Sequence, residues 1–363
     1  MLHVGKYYPP HRGGIESHLK DLVTAIRPDV DVEVVVAAEG RQTVKQVIEG
    51  VPVTRLGVLC HLAGAPVCPE MVSYIAKSPA EIIHMHLPNP MAVLSYLASG
   101  RRGDLVISYH SDVVRQKMLA KLFSPFLHKA MERSSRVIAT SPDYVKRSEV
   151  LARFENRCEV IPFGICLDEF ENPDKEKIAE IRREFGPRIV VALGRLVYYK
   201  GFDVLIRAMA RVKARLVLIG TGPLREELQA EAARHGVSDR VTLLGDPGPV
   251  APYLHAADVF VLPSVASTEA FGIVQLEAMA CGKPVINTAL DSGVPFVSLH
   301  GETGLTVPPG DATALATAIN QILDNDALRH RLGQAARRRV EETFTLQSMT
   351  QQVLNLYREV ATA

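Results

Sequence analysis

Short apolar runs alternate with longer amphipathic segments along almost the whole chain. The runs have the length of buried strands, and the segments between them carry apolar residues at helical spacing. Strands that alternate with helices are typical of parallel sheets with helices on both faces. The pattern therefore predicts an α/β fold.

In the first half, the predicted strands are Leu2–Val4, Val32–Ala37, Val51–Leu56, Glu81–Met85, Leu105–Tyr109, Arg136–Ala139 and Glu159–Ile161. In the second half, they are Ile189–Leu193, Arg215–Ile219, Arg240–Leu244, Val259–Leu262, Pro284–Asn287 and Gly304–Val307. The main predicted helices are Ile15–Ile26, Phe202–Val212, Leu224–Arg234, Ala312–Asp324 and Asp326–Glu342.

A polar segment, residues 167–188, interrupts this pattern, and the alternation starts again at Ile189. Residues 168–187 are therefore predicted to join two domains, at residues 1–168 and 188–344. Open α/β sheets bind ligands beyond the carboxyl ends of their strands. Functional residues are therefore expected at strand ends in both halves, around a cleft between the domains.

Charge and composition narrow the classes of function. The 363 residues include 41 Lys and Arg against 40 Asp and Glu, and the net charge of +1 argues against a bulk nucleic-acid binder. No apolar run approaches the roughly 18 residues of a membrane span, and the first residues lack the layout of a signal peptide. A cytoplasmic protein is therefore expected. The five cysteines show no CxxC spacing, which favours thiols outside disulfides and zinc sites.

Glu269 and Glu277 lie in a segment that follows the strand at Val259–Leu262 and leads into a helix ending at Gly282. If the whole segment were helical, eight residues would separate the two carboxylates by about 12 Å. Retaining glycosidases place theirs about 5 Å apart, so these two are poor candidates for one acid–base pair. They fit better as contacts to the two ends of an elongated ligand. Free N–H groups at the helix start favour a phosphate between them, which predicts a nucleotide sugar.

Two cations, Arg195 and Lys200, follow the strand at Ile189–Leu193 in a loop at the ligand-binding edge. Cations there can neutralise a leaving diphosphate, and the alternative is a pair of solvated surface charges. After the next strand, Gly220 and Gly222 allow a backbone to approach a ligand closely, or they serve only to pack the turn.

In the first half, Gly13 and Gly14 link a strand to a helix and let a ligand approach the helix start. The alternative is a plain strand-to-helix turn. His110 ends the apolar run Leu105–Tyr109, where it could bond a sugar hydroxyl or shuttle a proton, although a single histidine is more often structural. The chain contains no G-x-S-x-G elbow, so hydrolase chemistry has little support.

Residues 113–133 combine basic side chains with Val, Met, Leu and Phe. This composition fits a surface that rests on anionic lipid headgroups, but an ordinary helix with a solvated charged face has the same composition. Pro125 is expected to kink or split the segment. The basic residues are Arg115, Lys117, Lys121, His128, Lys129 and Arg133.

In this order, these residues resemble glycosyltransferase family 4, whose members are retaining enzymes of the GT-B fold with two Rossmann-like domains facing across a cleft. The resemblance covers nearly the whole chain. Gly13-Gly14 and His110 match sites in the family's N-terminal domain. The most specific motifs are Glu269-x(7)-Glu277, Gly194-Arg195 with Lys200-Gly201, Gly220–Pro223 and Gly304–Asp311.

The resemblance implies roles for these residues. Arg195 and Lys200 would hold the diphosphate, Glu269 would lie beside the donor sugar and Glu277 would bond the ribose. His110 would lie near the sugar's hydroxyls. The last helix, residues 346–360, would pack back on the N-terminal domain. The backbone that would complete the donor site belongs to Ala270, Phe271, Gly272 and Ile273.

Two positions depart from the family pattern, because Phe163 and Cys166 stand where Asn and Asp are usual. Residues 287–295 replace a common Gly-Gly turn. They look similar to members that transfer mannose onto lipid-linked oligosaccharides in bacterial polysaccharide assembly.

The resemblance therefore implies a hexosyltransferase that moves mannose from GDP-mannose to a glycan on polyprenyl diphosphate, at the inner face of the cytoplasmic membrane. No DxD-like motif stands out at a strand end, so a metal is not expected, and the nucleotide sugar is a co-substrate and not a cofactor. Three alternatives stay open. They are a UDP- or ADP-glucose-dependent transferase, a non-hydrolysing epimerase of UDP-sugars, and a catalytically silent binding protein of the same fold.

Overall fold

The computed structural model describes residues 1–11, 13–112 and 117–362. The chain divides into two compact units. The first unit contains residues 1–164 and 346–363, and the second contains residues 165–345. The boundary therefore falls at residue 164, ahead of the expected linker at 168–187, because that segment forms two helices of the second unit.

The first unit contains ten strands and seven α-helices among its described residues. The strands are β1 (Leu2–Val4), β2 (Glu33–Ala37), β3 (Val44–Ile48), β4 (Val51–Leu56), β5 (Cys60–Leu62), β6 (Ala65–Val67), β7 (Ile82–Leu87), β8 (Asp104–Tyr109), β9 (Arg136–Ala139) and β10 (Cys158–Val160). The helices are α1 (Gly14–Ile26), α2 (Glu70–Lys77), α3 (Pro90–Ala98), α4 (Lys117–Arg133), α5 (Pro142–Arg147), α6 (Glu149–Arg153) and, at the end of the chain, α16 (Leu346–Thr362).

The main sheet of this unit has the order β10-β9-β8-β7-β1-β2-β4-β3 and is parallel except for β3. Both faces of the sheet are covered, and the side chains of β2 alternate strictly between them. Val34 and Val36 pack with helices α1 and α16 on one face, while Val35 and Ala37 pack with the core on the other face. Burial on both faces explains why its strands are continuous apolar runs.

Two antiparallel hairpins were missed by the sequence analysis: β3–β4, and β5–β6, which forms a sheet of its own. Each closes through two residues in the left-handed region, Glu49-Gly50 and Ala63-Gly64. Such turns match the twist of a hairpin and usually contain Asn-Gly or Asp-Gly. The exposed β3 and β5 also lack the apolar run by which the other strands were found.

The second unit, all of whose residues are described, contains six strands and nine α-helices. The strands are β11 (Ile189–Leu193), β12 (Arg215–Ile219), β13 (Val241–Gly245), β14 (Val259–Val261), β15 (Val285–Thr288) and β16 (Gly304–Val307). The helices are α7 (Asp168–Glu171), α8 (Lys175–Phe185), α9 (Phe202–Met209), α10 (Arg225–Arg234), α11 (Ala251–Ala256), α12 (Val274–Ala280), α13 (Val294–Val297), α14 (Ala312–Leu323) and α15 (Asp326–Thr343).

The sheet of the second unit is parallel throughout, in the order β13-β12-β11-β14-β15-β16. The chain order reverses at β11, because β12 lies on one side of it and β14 on the other. In open α/β sheets the loops that leave the carboxyl ends of strands at such a reversal form the usual ligand crevice. The fold therefore singles out the loops after β11 and β14.

Candidate active site

The loops after β11 and β14 bring Lys200 and Glu269 into direct contact. The Nζ atom of Lys200 lies 2.6 Å from Oε2 of Glu269, and both residues are only 8% exposed. Ser264, just beyond β14, donates a hydrogen bond of 3.0 Å from Oγ to the same carboxylate oxygen. The other oxygen, Oε1, accepts no hydrogen bond from the described part of the chain. The lysine keeps two further N–H donors, so the pair can still bind a ligand at both ends.

This arrangement adds a direct contact to the separate roles predicted for the two residues from the sequence. Lys200 is not an isolated cation, since Glu269 pairs with it and orients it. The hydroxyl of Thr268, next to Glu269, is buried and has no hydrogen-bond partner among the described residues. The site therefore combines one oriented cation, one free carboxylate oxygen and one unpartnered hydroxyl.

Backbone contacts fix the loop that carries Lys200. The lysine ends a short 3₁₀ turn, Tyr198–Lys200, and Gly201 follows it with φ of 64°. A side chain at Gly201 would collide with the carbonyl oxygen of Pro263, beside β14. The N–H of Val265 donates a 2.8 Å hydrogen bond to the carbonyl of Tyr199, which joins the two loops. Glycine at 201 thus allows the close approach that sets the Lys200–Glu269 distance.

The structure accounts for Gly220 and Gly222 by packing. A Cβ atom on Gly220 would collide with the carbonyl oxygen of Gly194, and one on Gly222 would lie about 2.5 Å from backbone atoms of Leu196. The N–H of Leu196 donates a 2.9 Å hydrogen bond to the carbonyl of Thr221. The two glycines hold the loop after β12 against the loop after β11, which was the alternative role proposed from the sequence.

Arg195 and Tyr199 flank Lys200. The Arg195 side chain is exposed, and no carboxylate of the described residues lies within ion-pair distance of it. The ring of Tyr199 lies 5.8 Å from Nζ of Lys200. Burial raises the pKa of the Tyr199 phenol, so this hydroxyl stays protonated at neutral pH. Arg195 is therefore the unneutralised cation of the loop.

The helix that follows Glu269 in the sequence begins only after Gly272, as expected. Helix α12 begins at Val274 and has seven residues. Gly272 has φ of 73°, where a side chain would collide with Leu262. The carbonyls of Gly272 and Ile273 accept hydrogen bonds from the N–H groups of the residues three positions further on. The condition behind the 12 Å spacing, a helix through the whole segment, is therefore not met, and the dipole of this short helix is small.

Glu277 lies half-buried on α12, in a segment that a buried polar network holds in place. Gln275 donates a 3.0 Å hydrogen bond to the carbonyl of Phe271 and accepts one of 3.0 Å from Asn287 on β15. Asn287 accepts a further bond of 2.8 Å from Thr306 on β16. The network ties the backbone expected at the donor site to two neighbouring strands. The sequence analysis missed it because a lone Gln on an apolar helix carries no pattern.

In the first unit, Gly13 caps helix α1 and Gly14 is its first residue. The φ of Gly13 is 179°, an extended conformation open to any residue. The space beside its Cα is taken by the carboxylate of Glu16, at the end of a flexible side chain. Both glycines thus stand at a helix start, as expected.

His110 is buried in the first unit. Its Nε2 atom lies 3.0 Å from Nδ1 of His86, while its own Nδ1 has no partner among the described residues. The rings of His18 and Phe163 pack against it, with centroids 5.2 and 5.5 Å away. Burial lowers the pKa of His110 well below 6.5, so the ring is neutral at physiological pH. It can hydrogen-bond a hydroxyl but is a poor proton shuttle near pH 7.

Helix α4 is one helix that contains Pro125, so of the two expected effects of this proline, a kink or a split, the split does not occur. Part of the expected lipid-facing segment, including Arg115, lies outside the described residues, as do the side chains of residues 117, 118 and 120. Leu119, Leu122 and Phe126 on α4 are 48, 74 and 46% exposed. No helix within the described ranges is both long and apolar enough to cross a bilayer.

The five cysteines are free, and three of them are at least partly buried.

Two family models together match most of the chain. The model for Glycosyl transferases group 1 matches residues 174–339, and the model for Glycosyltransferase Family 4 matches residues 12–169. The O-antigen chain mannosyltransferase C of Escherichia coli is 31% identical over 98% of this chain and 97% of that protein. The chain belongs to glycosyltransferase family 4.

Further similarities of this glycosyltransferase agree with that assignment. It is 32% identical to the GDP-mannose-dependent alpha-(1-6)-phosphatidylinositol monomannoside mannosyltransferase of Mycolicibacterium smegmatis, over 93% of this chain and 92% of that protein. The sucrose-phosphate synthase of Thermosynechococcus elongatus superposes with a TM-score of 0.82 at 25% identity, over 99% of each chain. The predicted family, the GT-B fold and hexosyltransferase activity are confirmed.

Proposed function

We propose that this glycosyltransferase moves mannose from GDP-mannose to a hydroxyl of a glycan carried by polyprenyl diphosphate, with retention at the anomeric carbon. The observation that carries the proposal is the buried Lys200–Glu269 pair at the reversal point of the second sheet. A cation and a carboxylate at this edge suit a ligand with a diphosphate beside a sugar. The mannosyltransferase names of two full-length relatives favour mannose as the sugar.

Lys200 and Arg195 supply the positive charge that the leaving group needs. When the bond between the anomeric carbon and the diphosphate oxygen breaks, the electron pair stays on that oxygen. Lys200 keeps N–H donors free while Glu269 orients it, and Arg195 is exposed for a second contact. Charge-assisted contacts formed as the negative charge grows are worth about 3 kcal/mol each.

Glu269 contributes its free Oε1 as an acceptor for a hydroxyl of the donor sugar. Lys200 and Ser264 both occupy Oε2, which fixes the plane of the carboxylate. Glu277, on helix α12, accepts hydrogen bonds from the ribose hydroxyls of the nucleotide. The two glutamates therefore contact the ligand at different points, and Glu269 is the one that pairs with Lys200.

The acceptor attacks from the face that the diphosphate leaves. The acceptor oxygen forms the new bond to the anomeric carbon, and its proton passes to the departing diphosphate oxygen. His110 does not take this proton, because burial keeps its pKa far below neutrality. It serves as a hydrogen-bonding group for a sugar hydroxyl. No metal and no cofactor is part of the proposed reaction.

A lipid-linked acceptor calls for contact with a membrane surface, and helix α4 is the proposed contact. Its exposed apolar side chains, Leu119, Leu122 and Phe126, share the helix with Lys121 and Lys129. Such a helix binds anionic headgroups through charge and apolar burial together. Co-sedimentation with vesicles containing anionic lipid should fall in Leu122→Ser and should persist in Leu94→Ser, an exposed leucine on α3. Equal binding of both variants would remove α4 from the account.

A second candidate is a transferase that uses UDP- or ADP-glucose. The similarity over the full length to a sucrose-phosphate synthase, with a TM-score of 0.82, favours it. The reaction at the Lys200–Glu269 pair would be unchanged, because both kinds of donor share the diphosphate. Only the base and the sugar differ.

A thermal-shift screen of GDP-, UDP- and ADP-sugars decides between the two candidates. A ligand at 100 times its Kd stabilises the fold by about 2.7 kcal/mol, so the true donor should stand out. The donor is then tested for transfer to a lipid-linked glycan in excess EDTA. GDP-mannose is expected to give the largest shift and to support transfer in EDTA. A shift with UDP-glucose alone would overturn the proposed donor, and activity that only Mg²⁺ restores would overturn metal independence.

A further inference from the structure

Five histidines meet in the core of the first unit, where tyrosine, serine and threonine side chains border them. His3 lies on β1, His84 and His86 on β7, His18 on α1 and His110 just after β8. All five are buried, and burial lowers the pKa of His3 and His18 to about 3 and the pKa of the other three well below 6.5. Each ring is therefore neutral and has one nitrogen that donates and one that accepts.

Four of these rings form one continuous hydrogen-bonded chain with Tyr357 of helix α16 and Ser108 of β8. Each internal ring uses both of its nitrogens, so no link can change its direction alone. The links, in order, are Ser108 Oγ to His84 Nε2 at 2.7 Å, His84 Nδ1 to Tyr357 Oη at 2.5 Å, Tyr357 Oη to His3 Nε2 at 3.4 Å, His3 Nδ1 to His86 Nε2 at 3.1 Å, and His86 Nδ1 to His110 Nε2 at 3.0 Å.

A metal ion is a poor fit for this cluster. Two sets of three histidines that share His86 have ligand atoms within 4.8 Å of one another. However, the nitrogens of His3, His84 and His86 are already paired with each other or with Tyr357, Ser108 and His110. An ion would have to break these bonds and bring a buried charge into a cluster of neutral rings. The hydrogen-bonded chain is the better description.

Each neutral ring carries one N–H, and the O–H of Tyr357 has no acceptor among the described residues other than His84 and His3. If both of these rings donated to Tyr357, its buried O–H would be unsatisfied, so all links donate in the same direction. Burial raises the pKa of Tyr357 well above 10, so this O–H is always present. If the chain donates from Ser108 towards His110, every internal donor is satisfied and His110 carries its hydrogen on Nδ1. If it donates the other way, the hydroxyl hydrogen of Ser108 has no acceptor among the described residues, and Nδ1 of His110 is a bare lone pair. The reverse direction leaves one more buried group unsatisfied, which is costly.

The His110 end of the hydrogen-bonded chain borders a small cavity. His18, His110, Thr140 and Phe163 line a space of about 10 Å³, enough for one water-sized oxygen atom. Nδ1 of His110 and the hydroxyl of Thr140 are both buried and have no partner in the part of the chain that the structure describes. With an oxygen here that accepts from Nδ1–H of His110, every donor of the hydrogen-bonded chain would be satisfied.

We propose that Ser108, His84, Tyr357, His3 and His86 are positioning residues that hold His110 in its Nδ1–H tautomer, so that it donates a hydrogen bond to a hydroxyl oxygen of the transferred sugar. The sugar part rests on the proposed function, whereas the tautomer is a property of the free protein. The hydrogen-bonded chain makes Nδ1 of His110 a donor only. A sugar that has no oxygen opposite this atom therefore loses the contact. Residues on helix α16, at the end of the sequence, thereby act on the sugar through His110.

The tautomer is read directly by ¹⁵N NMR of protein labelled in histidine, in which the His110 signal is assigned by its loss in His110→Gln. Wild-type protein without ligand is expected to show His110 protonated at Nδ1. Tyr357→Phe cuts the chain between His84 and His3 and makes the two directions nearly equal, so a mixture of tautomers is expected. Ser108→Ala removes the donor at the other end and should give the same mixture. Tyr8→Phe, which deletes a buried hydroxyl on the same face but outside the chain, should leave the tautomer unchanged.

Kinetic measurements distinguish a role in positioning His110 from an effect on the stability of the fold alone. In Tyr357→Phe and Ser108→Ala, kcat/KM for the nucleotide sugar should fall about two- to tenfold, the worth of one hydrogen bond, while the inhibition constant of free GDP stays the same. An Nε2–H tautomer in wild-type protein, or an unchanged tautomer in both variants, overturns the proposal. A tautomer shift with unchanged kcat/KM overturns the role in positioning the sugar. The spectra need no ligand, so they decide the tautomer even if the proposed donor fails.

Discussion

Lys200 and Glu269 form an ion pair of 2.6 Å in which each side chain is about nine-tenths buried. The loops after two neighbouring strands bring the charges together. Taking two charges out of water is costly, and the pair offsets that cost only while both partners are present. The pair therefore links the stability of the second unit to its proposed chemistry.

Neutralising one partner should destabilise the protein more than neutralising both. Lys200→Met leaves a buried carboxylate and Glu269→Gln leaves a buried ammonium, and each should lower the free energy of unfolding by about 3 kcal/mol. The double variant should be less destabilised than the sum of the two. Urea denaturation of all four proteins measures the coupling, which is expected to exceed about 1 kcal/mol.

The exposed pair Arg188–Asp324, at 2.8 Å in the same unit, is the matched control for this cycle. Solvent screens it, so the coupling in Arg188→Met with Asp324→Asn should stay below about 1 kcal/mol. Additive effects of the two buried substitutions, or equal coupling in both cycles, would show that burial does not strengthen the Lys200–Glu269 pair.

Gly201→Ala should disturb the loop that carries Lys200. The position has φ of 64°, and a Cβ atom there would collide with backbone of Pro263. Gly236 also has φ of 64°, but a Cβ atom at that position would meet nothing within 4 Å, so Gly236→Ala carries the strain of a positive φ without the collision. Strain alone costs about 1 kcal/mol.

Thermal unfolding and turnover of both variants separate the two effects. Gly236→Ala is expected to lower Tm slightly and to keep its turnover. Gly201→Ala should lower Tm further and lose turnover, because Lys200 and Glu269 no longer meet at the same distance. Identical behaviour of the two variants would mean that the contact between the loops does not position Lys200.

The strands buried on both faces were predictable because burial leaves a direct trace in the sequence. Val34, Val35 and Val36 on β2 must all be apolar, and the run is visible without a structure. The two hairpins left no such trace, since β3 is exposed and its turn uses Glu49-Gly50 in place of Asn-Gly. Local patterns thus predicted the strands of the covered sheets and missed the two exposed hairpins.

The candidate site was predictable at the level of which loops matter. Arg195, Lys200 and Glu269 follow β11 and β14, and the carboxyl-edge rule for α/β sheets identifies both loops. The contact between Lys200 and Glu269 was not predictable, because it depends on the close approach at Gly201 and on the hydrogen bond from Ser264. Partners far apart in sequence, such as His3 and Tyr357, leave no spacing pattern at all.

The five buried histidines should make the protein sensitive to mild acid. Their folded-state pKa values lie below 6.5, at about 3 for His3 and His18, so the unfolded chain binds more protons than the folded chain as pH falls below 6.5. The stabilising effect of keeping them neutral is fully present above pH 6.5 and is lost on acidification. Each ring should contribute about 1 kcal/mol between pH 7.5 and 5.5.

Five rings together predict a loss on the order of 5 kcal/mol in the free energy of unfolding over this interval. Burial also lowers the pKa of His255, which adds in the same direction. Urea denaturation at pH 7.5, 6.5 and 5.5 measures the loss. A change below about 1 kcal/mol, the effect of one histidine, would show that the cluster is not held neutral.

Glu277→Ala should weaken nucleotide binding without changing the choice of sugar. Loss of one charged acceptor for the ribose hydroxyls should raise the Kd of GDP by about tenfold or more. Isothermal titration with GDP, and with two GDP-sugars, separates affinity from selectivity. Glu226→Ala on α10, an exposed glutamate of the same unit, should bind as the unmodified protein does. Unchanged GDP affinity in Glu277→Ala would remove this residue from the nucleotide site.

The most direct test of the account is the turnover of nucleotide sugar by Lys200→Ala and Arg195→Ala. If these side chains stabilise the departing diphosphate, each substitution should lower kcat for transfer from GDP-mannose at least about 100-fold, with the fold confirmed by circular dichroism. Turnover close to that of the wild-type protein in both variants would contradict the central claim that the loop after β11 binds the diphosphate.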